Sequence, residues 1–230
     1  MSSVGRGHTD QRRIDHEGDP MDVDAQIESV SRAVGTRDVE GGREGAVVVA
    51  RSFDTTPADL WEACTDAERL ARWFLPVTGD LRQGGSYRLE GNAHGRVLDC
   101  DPPRSFRASW EFGGEYSEIE VRFVPESASR TRLELSHSAR LGEHWTEYGP
   151  GAVGIGWDMG FLGLALHLEQ GGQEPPEASE WARSAQARRF TELSGRAWCA
   201  AHVASGTDAA TAEAAAGRTI AAYAGGGDQT

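Results

Sequence analysis

Gly151-Ala-Val-Gly-Ile-Gly-Trp-Asp-Met-Gly-Phe-Leu-Gly-Leu-Ala-Leu-His-Leu-Glu-Gln170 is the stretch whose reading decides the fold of this chain. Trp157, Phe161, Leu164 and Leu168 recur at spacings of four, three and four, which makes one apolar stripe of an α-helix. Met159, Leu162 and Leu166 make a second stripe, rotated around the same axis. A helix apolar on two sides is seldom left in water, so one face is expected on a sheet and the other under a second cover. Gly171 and Gly172, followed by Pro175 and Pro176, end the helix and open a linker.

The sheet lies upstream. Ala46-Val47-Val48-Val49-Ala50 is a β-branched run extended by Phe53, hence a strand. Thr55 or Thr56, Pro57 and Leu60-Trp61 announce a short helix, and Asp66 caps a second that ends before Pro76. A meander follows. Tyr87 and Leu89 alternate with Arg88 and Glu90; Gly95 to Cys100 form another strand; Phe106, Ala108, Trp110 and Phe112 alternate with Arg107, Ser109 and Glu111. Ile119, Val121 and Phe123, then Leu133 and Leu135, repeat the pattern. Each strand has one dry and one wet face, as in an antiparallel sheet covered on one side.

Composition bounds the function. The 230 residues carry a net charge of −13, and all the positive charge is arginine, since lysine is absent. Such acidity disfavours nucleic acid and anionic lipid surfaces. No apolar run approaches the length needed to span a bilayer and no signal-peptide core opens the chain, so no membrane insertion is expected. Cys64, Cys100 and Cys199 share no metal-ligand spacing and read as reduced thiols of a cytoplasmic protein. No metal and no cofactor is expected. The glycines at 151, 154, 156, 160 and 163 follow no strand-to-helix turn, so close helix packing explains them better than a nucleotide fingerprint.

Residues 1–43 hold no aromatic residue and no sustained apolar period, which predicts disorder, apart from room for a short helix around Asp24 to Ala33. Residues 44–172 form the main domain and 173–176 a linker. Residues 177–224 are alanine-rich and helical, broken at Gly206, with 225–230 as a flexible tail. A helical pair of this size builds no core of its own. It is expected to dock on the main domain, or to carry a protein partner or a second copy.

Strand, two short helices, an antiparallel meander and a long helix resemble the α+β helix-grip fold of the START-like (SRPBCC) superfamily, in which a curved sheet wraps the C-terminal helix. Within it, the chain is similar to the family related to the C-terminal domain of the heat-shock-protein-90 ATPase activator, in an actinobacterial type with a C-terminal helical extension. The matching stretches are Ala50-Arg51-Ser52-Phe53, Leu70-Ala71-Arg72-Trp73-Phe74, Leu81-Arg82-Gln83-Gly84-Gly85-Ser86-Tyr87-Arg88, Ala108-Ser109-Trp110, Thr131-Arg132-Leu133-Glu134-Leu135-Ser136-His137 and Gly156-Trp157. The resemblance implies an internal cavity for a small hydrophobic molecule, with Trp73 and Phe74 near its mouth. Residues 1–43 are too short and polar to supply the eukaryotic activator's further N-terminal domain, which argues against a direct chaperone role.

Strand parity turns Tyr87, Trp110 and His137 inward, and Trp157 and Phe161 face them from the helix. Each has a plainer explanation. Aromatic residues at these spacings are core in most proteins, and a dry-face histidine is more often hydrogen-bonded structure than an acid or base. His137 is the one catalytic candidate; His144, Tyr148 and Asp158 are the nearest to a reactive cluster beside it. Three functions stand open: binding a hydrophobic ligand, a cyclase or dehydratase acting on a polyketide-like substrate, and a stress-related or co-chaperone-like interaction protein.

Overall fold

The computed structural model describes residues 21–171 and 174–225. Eight antiparallel strands form one sheet in the order β1-β2-β8-β7-β6-β5-β4-β3, open at its β1 and β3 edges. They are β1 Ser31–Val39, β2 Gly42–Phe53, β3 Val77–Gly79, β4 Ser86–Leu89, β5 His94–Asp101, β6 Ser105–Phe112, β7 Glu115–Ser127 and β8 Arg130–Arg140. Helices α2 Pro57–Thr65 and α3 Ala67–Leu70 follow β2; α4 Glu143–Tyr148 and the long α5 Gly151–Gln170 follow β8. This is the α+β helix-grip fold expected from the sequence.

Local chemistry sets the boundaries. The Thr56 hydroxyl accepts from the Asp59 amide and Pro57 opens α2, while the Asp66 carboxylate accepts from the Arg69 amide at the start of α3. Gly171 ends α5 in the left-handed conformation, with φ 65°. In the sheet, Phe123 pairs with Leu133, Val121 with Leu135 and Ile119 with His137, so the dry residues of β7 and β8 share one face.

The N-terminal segment departs from expectation. Residues 1–20 lie outside the described residues, but 21–43 are ordered: α1 spans Val23–Glu28, and β1 pairs with β2 from Ser31↔Ala50 to Val39↔Gly42. Composition missed this because the stabilisation is tertiary. Val23 and Ile27, one helical turn apart, bury in a cluster with Met159, Leu162 and Phe190, and β1 satisfies its backbone on the edge of β2. Strand β3 and helix α4 were likewise not foreseen. Of the tail expected at 225–230, Gly225 is instead the last residue of α7 and 226–230 lie outside the described residues, as do Gly172 and Gln173, the first residue of the linker expected at 173–176.

The second cover for α5 comes from both chain ends. Beyond a 3-10 turn at Glu180–Arg183, α6 Ala185–Ala204 and α7 Ala209–Gly225 pack on the main domain. Met159, Leu162 and, half-buried, Leu166 meet Phe190 and Leu193 of α6 and Ile27 of α1, whereas Trp157, Phe161 and Leu164 face the sheet. From α7, Thr219 donates to the Tyr148 carbonyl (2.6 Å) and Tyr223 to the Ala152 carbonyl (3.0 Å). One expectation needs correction: Gly151–Glu169 is long and apolar enough to cross a membrane, and 72% of it is buried inside the protein. Two covers, not lipid, account for that apolarity here.

The helix glycines are contact surfaces. A Cβ at Gly154 would come within 2.2 Å of the Trp198 ring, and one at Gly163 within 2.3 Å of the Trp73 carbonyl oxygen. Between them these two positions let α6 and the α3–β3 segment approach the α5 backbone.

A buried carboxylate joins the layers. Asp158, on α5, receives Arg32 Nε from β1 at 3.1 and 2.9 Å, Trp198 Nε1 at 3.0 Å and the Ser194 hydroxyl, both from α6. Arg32 also donates to the carbonyls of Ile27 and Val30. Both ion-pair side chains are almost fully out of water, at 6% and 0% exposure.

Two predictions follow from this packing. Arg32→Ala strands the Asp158 carboxylate and is expected to cost about 3–5 kcal/mol in urea unfolding; a loss below about 1 kcal/mol would mean that water reaches Asp158. Gly154→Ala is expected to destabilise by about 1–3 kcal/mol despite alanine's higher helix propensity. Gly217→Ala, on open surface of α7, should instead stabilise by up to about 1 kcal/mol. Equal effects from the two glycine changes would refute the close-packing account.

Candidate functional site: an aromatic cavity between sheet and helix

Between α2, α3, the sheet and α5 lies a cavity of about 530 Å³. Its floor is the dry face of the strands: Val97, Ala108, Ile119, Val121, Leu133 and Leu135. Trp61 and Cys64 of α2 and Leu70 of α3 close one side, and Gly160 and Phe161 of α5 the other. The volume falls in the range of sites for drug-sized molecules, roughly 300–1,000 Å³.

Six of the seven residues expected at the cavity line it: Trp73, Phe74, Tyr87, Trp110, Trp157 and Phe161. Trp110 and Trp157 meet as strand parity and helix phase require, with ring centroids 5.2 Å apart. Phe74 stacks on Trp157 at 6.0 Å with 18° between the planes. Trp73 is buried and donates its indole N–H to the Ala63 carbonyl at 2.9 Å, which ties it to α2. The water-exposed part of the lining is not Trp73 and Phe74 but Leu81, Arg82, Gln83 and Pro102. These form the rim.

His137 is the exception. It is buried and inward, but stands behind the wall, 5.8 Å from both the Trp110 and Trp157 rings. The Trp157 indole N–H donates to His137 Nδ1 at 3.0 Å, so Nδ1 is unprotonated and Nε2 carries the hydrogen toward Ser117 Oγ at 2.8 Å. Ser117 in turn donates to the Trp110 carbonyl at 2.8 Å. Every polar atom in this chain has a partner, and desolvation pushes the imidazole pKa down to about 4. The ring is a neutral strut that fixes both tryptophans.

The suggested cluster around His137 does not assemble. Trp157 and Asp158 are consecutive, so the helix turns them about 100° apart: Trp157 to the cavity and Asp158 to Arg32 and α6. His144 packs on Tyr148 within α4, at 5.0 Å. Among the described residues no group of three His, Cys, Asp or Glu is placed to hold a metal.

Inside the cavity the polar atoms are few and largely engaged. The Tyr87 hydroxyl donates to the Ser109 carbonyl at 2.7 Å, and burial pushes its pKa up. Thr65 donates to the Trp61 carbonyl at 2.8 Å. Burial also pushes the Cys64 thiol up to about 12, so it stays protonated. Trp61 and Phe106 are wall residues that the sequence reading left out; they pack edge to face at 6.1 Å. Phe106 shares the phase of Ala108 and Trp110, a signal present in the sequence. Trp61 announces only a buried helix face.

The histidine gives a pH signature. The unfolded imidazole takes up its proton near pH 6.5, and the folded one resists to about 4. Stability from the neutral ring is therefore complete above about pH 6.5 and is lost as pH falls toward 4, by on the order of 3 kcal/mol. In chemical denaturation across this window, His137→Gln should abolish that part of the slope. An identical slope in both proteins would show that another group titrates there.

Comparison with known proteins agrees with the fold. The family model described as "Activator of Hsp90 ATPase homolog 1-like protein" matches residues 54–169, just over half the chain. The crystal structure of CalU16 from Micromonospora echinospora is 32% identical, over 75% of this chain and 97% of that one, with a TM-score of 0.60. Its solution structure gives 33% identity, 76% and 96% coverage and a TM-score of 0.63. The conserved protein of unknown function EF2215 from Enterococcus faecalis, at 16% identity over 74% and 95% of the two chains and a TM-score of 0.52, shares the fold alone. No protein of curated function matches. Over its helix-grip domain, the chain belongs to the family of Activator of Hsp90 ATPase homolog 1-like proteins, within the START-like superfamily.

Proposed function

We propose that the protein binds one small hydrophobic molecule in the cavity between sheet and α5. The observation that carries this reading is an aromatic and aliphatic enclosure of about 530 Å³ in a domain whose other layers are closely packed. Void-lining atoms lack partners on one side, so an apolar occupant gains dispersion contacts as well as dehydration. Phe74, Trp157 and Trp110 offer a run of ring surface for a planar or chain-like molecule.

The cyclase or dehydratase reading has less support. It needs inward groups free to move protons, and both nominees are engaged: His137 between Trp157 and Ser117, Tyr87 on the Ser109 carbonyl. The interaction-protein reading needs a continuous exposed apolar patch. Among the described residues the large exposed apolar side chains are scattered: Leu81 in a loop, Phe112 and Tyr116 in one hairpin, Val124 eight residues further along β7, Val203 on α6 and Tyr223 on α7. Three free cysteines suit a reducing, cytoplasmic setting.

The test uses N-phenyl-1-naphthylamine, a neutral fluorescent probe. It is expected to bind with micromolar affinity and to quench tryptophan emission. Ala108→Phe places a ring on the cavity floor and should weaken binding at least tenfold, with a stability change of about 1–3 kcal/mol at most. Trp110→Ala should weaken binding too. Undiminished binding to both folded variants would place the probe elsewhere and remove the cavity's claim.

A further inference from the structure

We propose that the ligand is an amphiphile with an anionic head, its apolar body inside the cavity and its head on Arg82 at the rim. This rests on the cavity-binding reading above and adds the class and direction of the bound molecule. The first support is the distribution of polarity. Inside, the Tyr87 and Thr65 hydroxyl hydrogens are already given to backbone carbonyls, and the Cys64 thiol is a weak donor. A charged or strongly polar ligand group placed there would lose its water without replacement. Such a group belongs at the rim.

The second support is what the rim offers. Among the described residues Arg82 is the only charged one that lines the cavity, in a chain whose net charge is −13. Its Nε donates to Asp80 at 2.7 Å, and neither Nη group is bonded to another described residue. Two donors with fixed planar geometry remain, a match for the two oxygens of a carboxylate or a similar anion. Gln83, beside it on the rim, adds an amide without a bonded partner among the described residues. Leu81, also on the rim, leaves apolar surface in water that a ligand's chain would cover.

The third support is rigidity. The Asp80–Gly85 turn is pinned by Asp80 N to Ser86 O at 2.9 Å, Gly85 N to Arg82 O at 2.8 Å and Gly84 N to Val97 O at 2.8 Å. Arg96 Nη2 holds the Gly84 carbonyl at 2.6 Å. A Cβ at Gly85 would lie 2.0 Å from the Asp80 carbonyl oxygen, so the turn closes only with glycine there. Arg82 is therefore presented from a fixed backbone, which lowers the ordering cost of meeting a head group.

Competition against N-phenyl-1-naphthylamine at neutral pH and low salt tests the assignment, with decanoate, decanol and decyltrimethylammonium below their micelle concentrations. Decanoate is expected to displace the probe at about two- to fivefold lower concentration than decanol, with the ammonium weakest. Arg82→Gln should bring the decanoate-to-decanol ratio to about one, and Arg82→Lys should retain part of the preference. Added salt should shrink the preference in the wild-type protein. Equal displacement by the three chains, or a ratio untouched by Arg82→Gln, would overturn the head-group assignment while leaving the cavity reading standing. A probe that never binds, with no heat from any of the three chains in calorimetry, would instead remove both.

Discussion

A carboxylate with no access to water has to be answered by the protein around it, and Asp158 sets that condition at the centre of this fold. It sits on α5, which both the sheet and the C-terminal helices touch. Burial pushes its carboxyl toward the neutral form, and Arg32, Ser194 and Trp198 pull against that. None of the three partners belongs to α5 itself. Arg32 comes from the first strand, and Ser194 and Trp198 from α6. The segments flanking the helix-grip domain are thereby part of one electrostatic and hydrogen-bonded arrangement with it: losing β1 leaves the Asp158 charge uncompensated, and losing α6 strips the ion pair of two neutral donors.

Adjacent residues on α5 divide the molecule. Asp158 faces structure, and Trp157 faces the cavity. Because α5 is gripped from behind through Gly154 against Trp198 and through the apolar side chains of Met159 and Leu162, its sheet-facing side need not collapse onto the strands. A helix held only by a sheet would descend until its aromatic residues filled the space. Here the Trp157 ring is also held from the side, by the hydrogen bond to His137 and the stack with Phe74. Polar interactions thus fix an apolar wall in place.

What the sequence made legible follows from the range of each interaction. Strands β5 to β8 were readable because each carries its own wet and dry faces, and α5 because two stripes fit on 20 residues. The caps at Thr56 and Asp66 and the stop at Gly171 are local chemistry and were found. Helix α1, of only 6 residues, showed as no more than room for a short helix around Asp24 to Ala33, and strand β1 was missed, since it offers only Arg32, Val34 and Val39 as half-buried side chains. Besides the pairing of β1 with β2, their stability rests on contacts more than 100 residues away, such as Arg32 to Asp158. Of the cavity's aromatic residues, Tyr87 and Trp110 were legible by strand parity and Trp157 and Phe161 by helix phase; Trp73 and Phe74 came from the family likeness, and Trp61 and Phe106 were not named. The place of His137 behind Trp157 was not legible, because parity gives a side of the sheet and not a depth. The rim turn was quoted for its family likeness, and nothing in its sequence announced that Arg82 would stand over the opening.

The same division bears on how binding and stability are coupled. A cavity kept open by its surroundings is a place where dispersion contacts are missing, and an apolar occupant restores them. Any molecule that binds only the folded state raises stability by mass action, in proportion to the logarithm of its concentration over its dissociation constant. In this protein the gain would act on α2, α3 and the rim turn, which enclose the cavity from the side opposite the Asp158 arrangement. The rear of α5 is already fixed by the buried ion pair, so occupancy has little left to order there. Ligand-dependent protection should therefore be asymmetric across α5, strong at Trp61, Phe74 and Tyr87 and weak at α6. That asymmetry is what separates a binding cavity from a core that is merely loosely packed, because filling a loose core would tighten both sides alike.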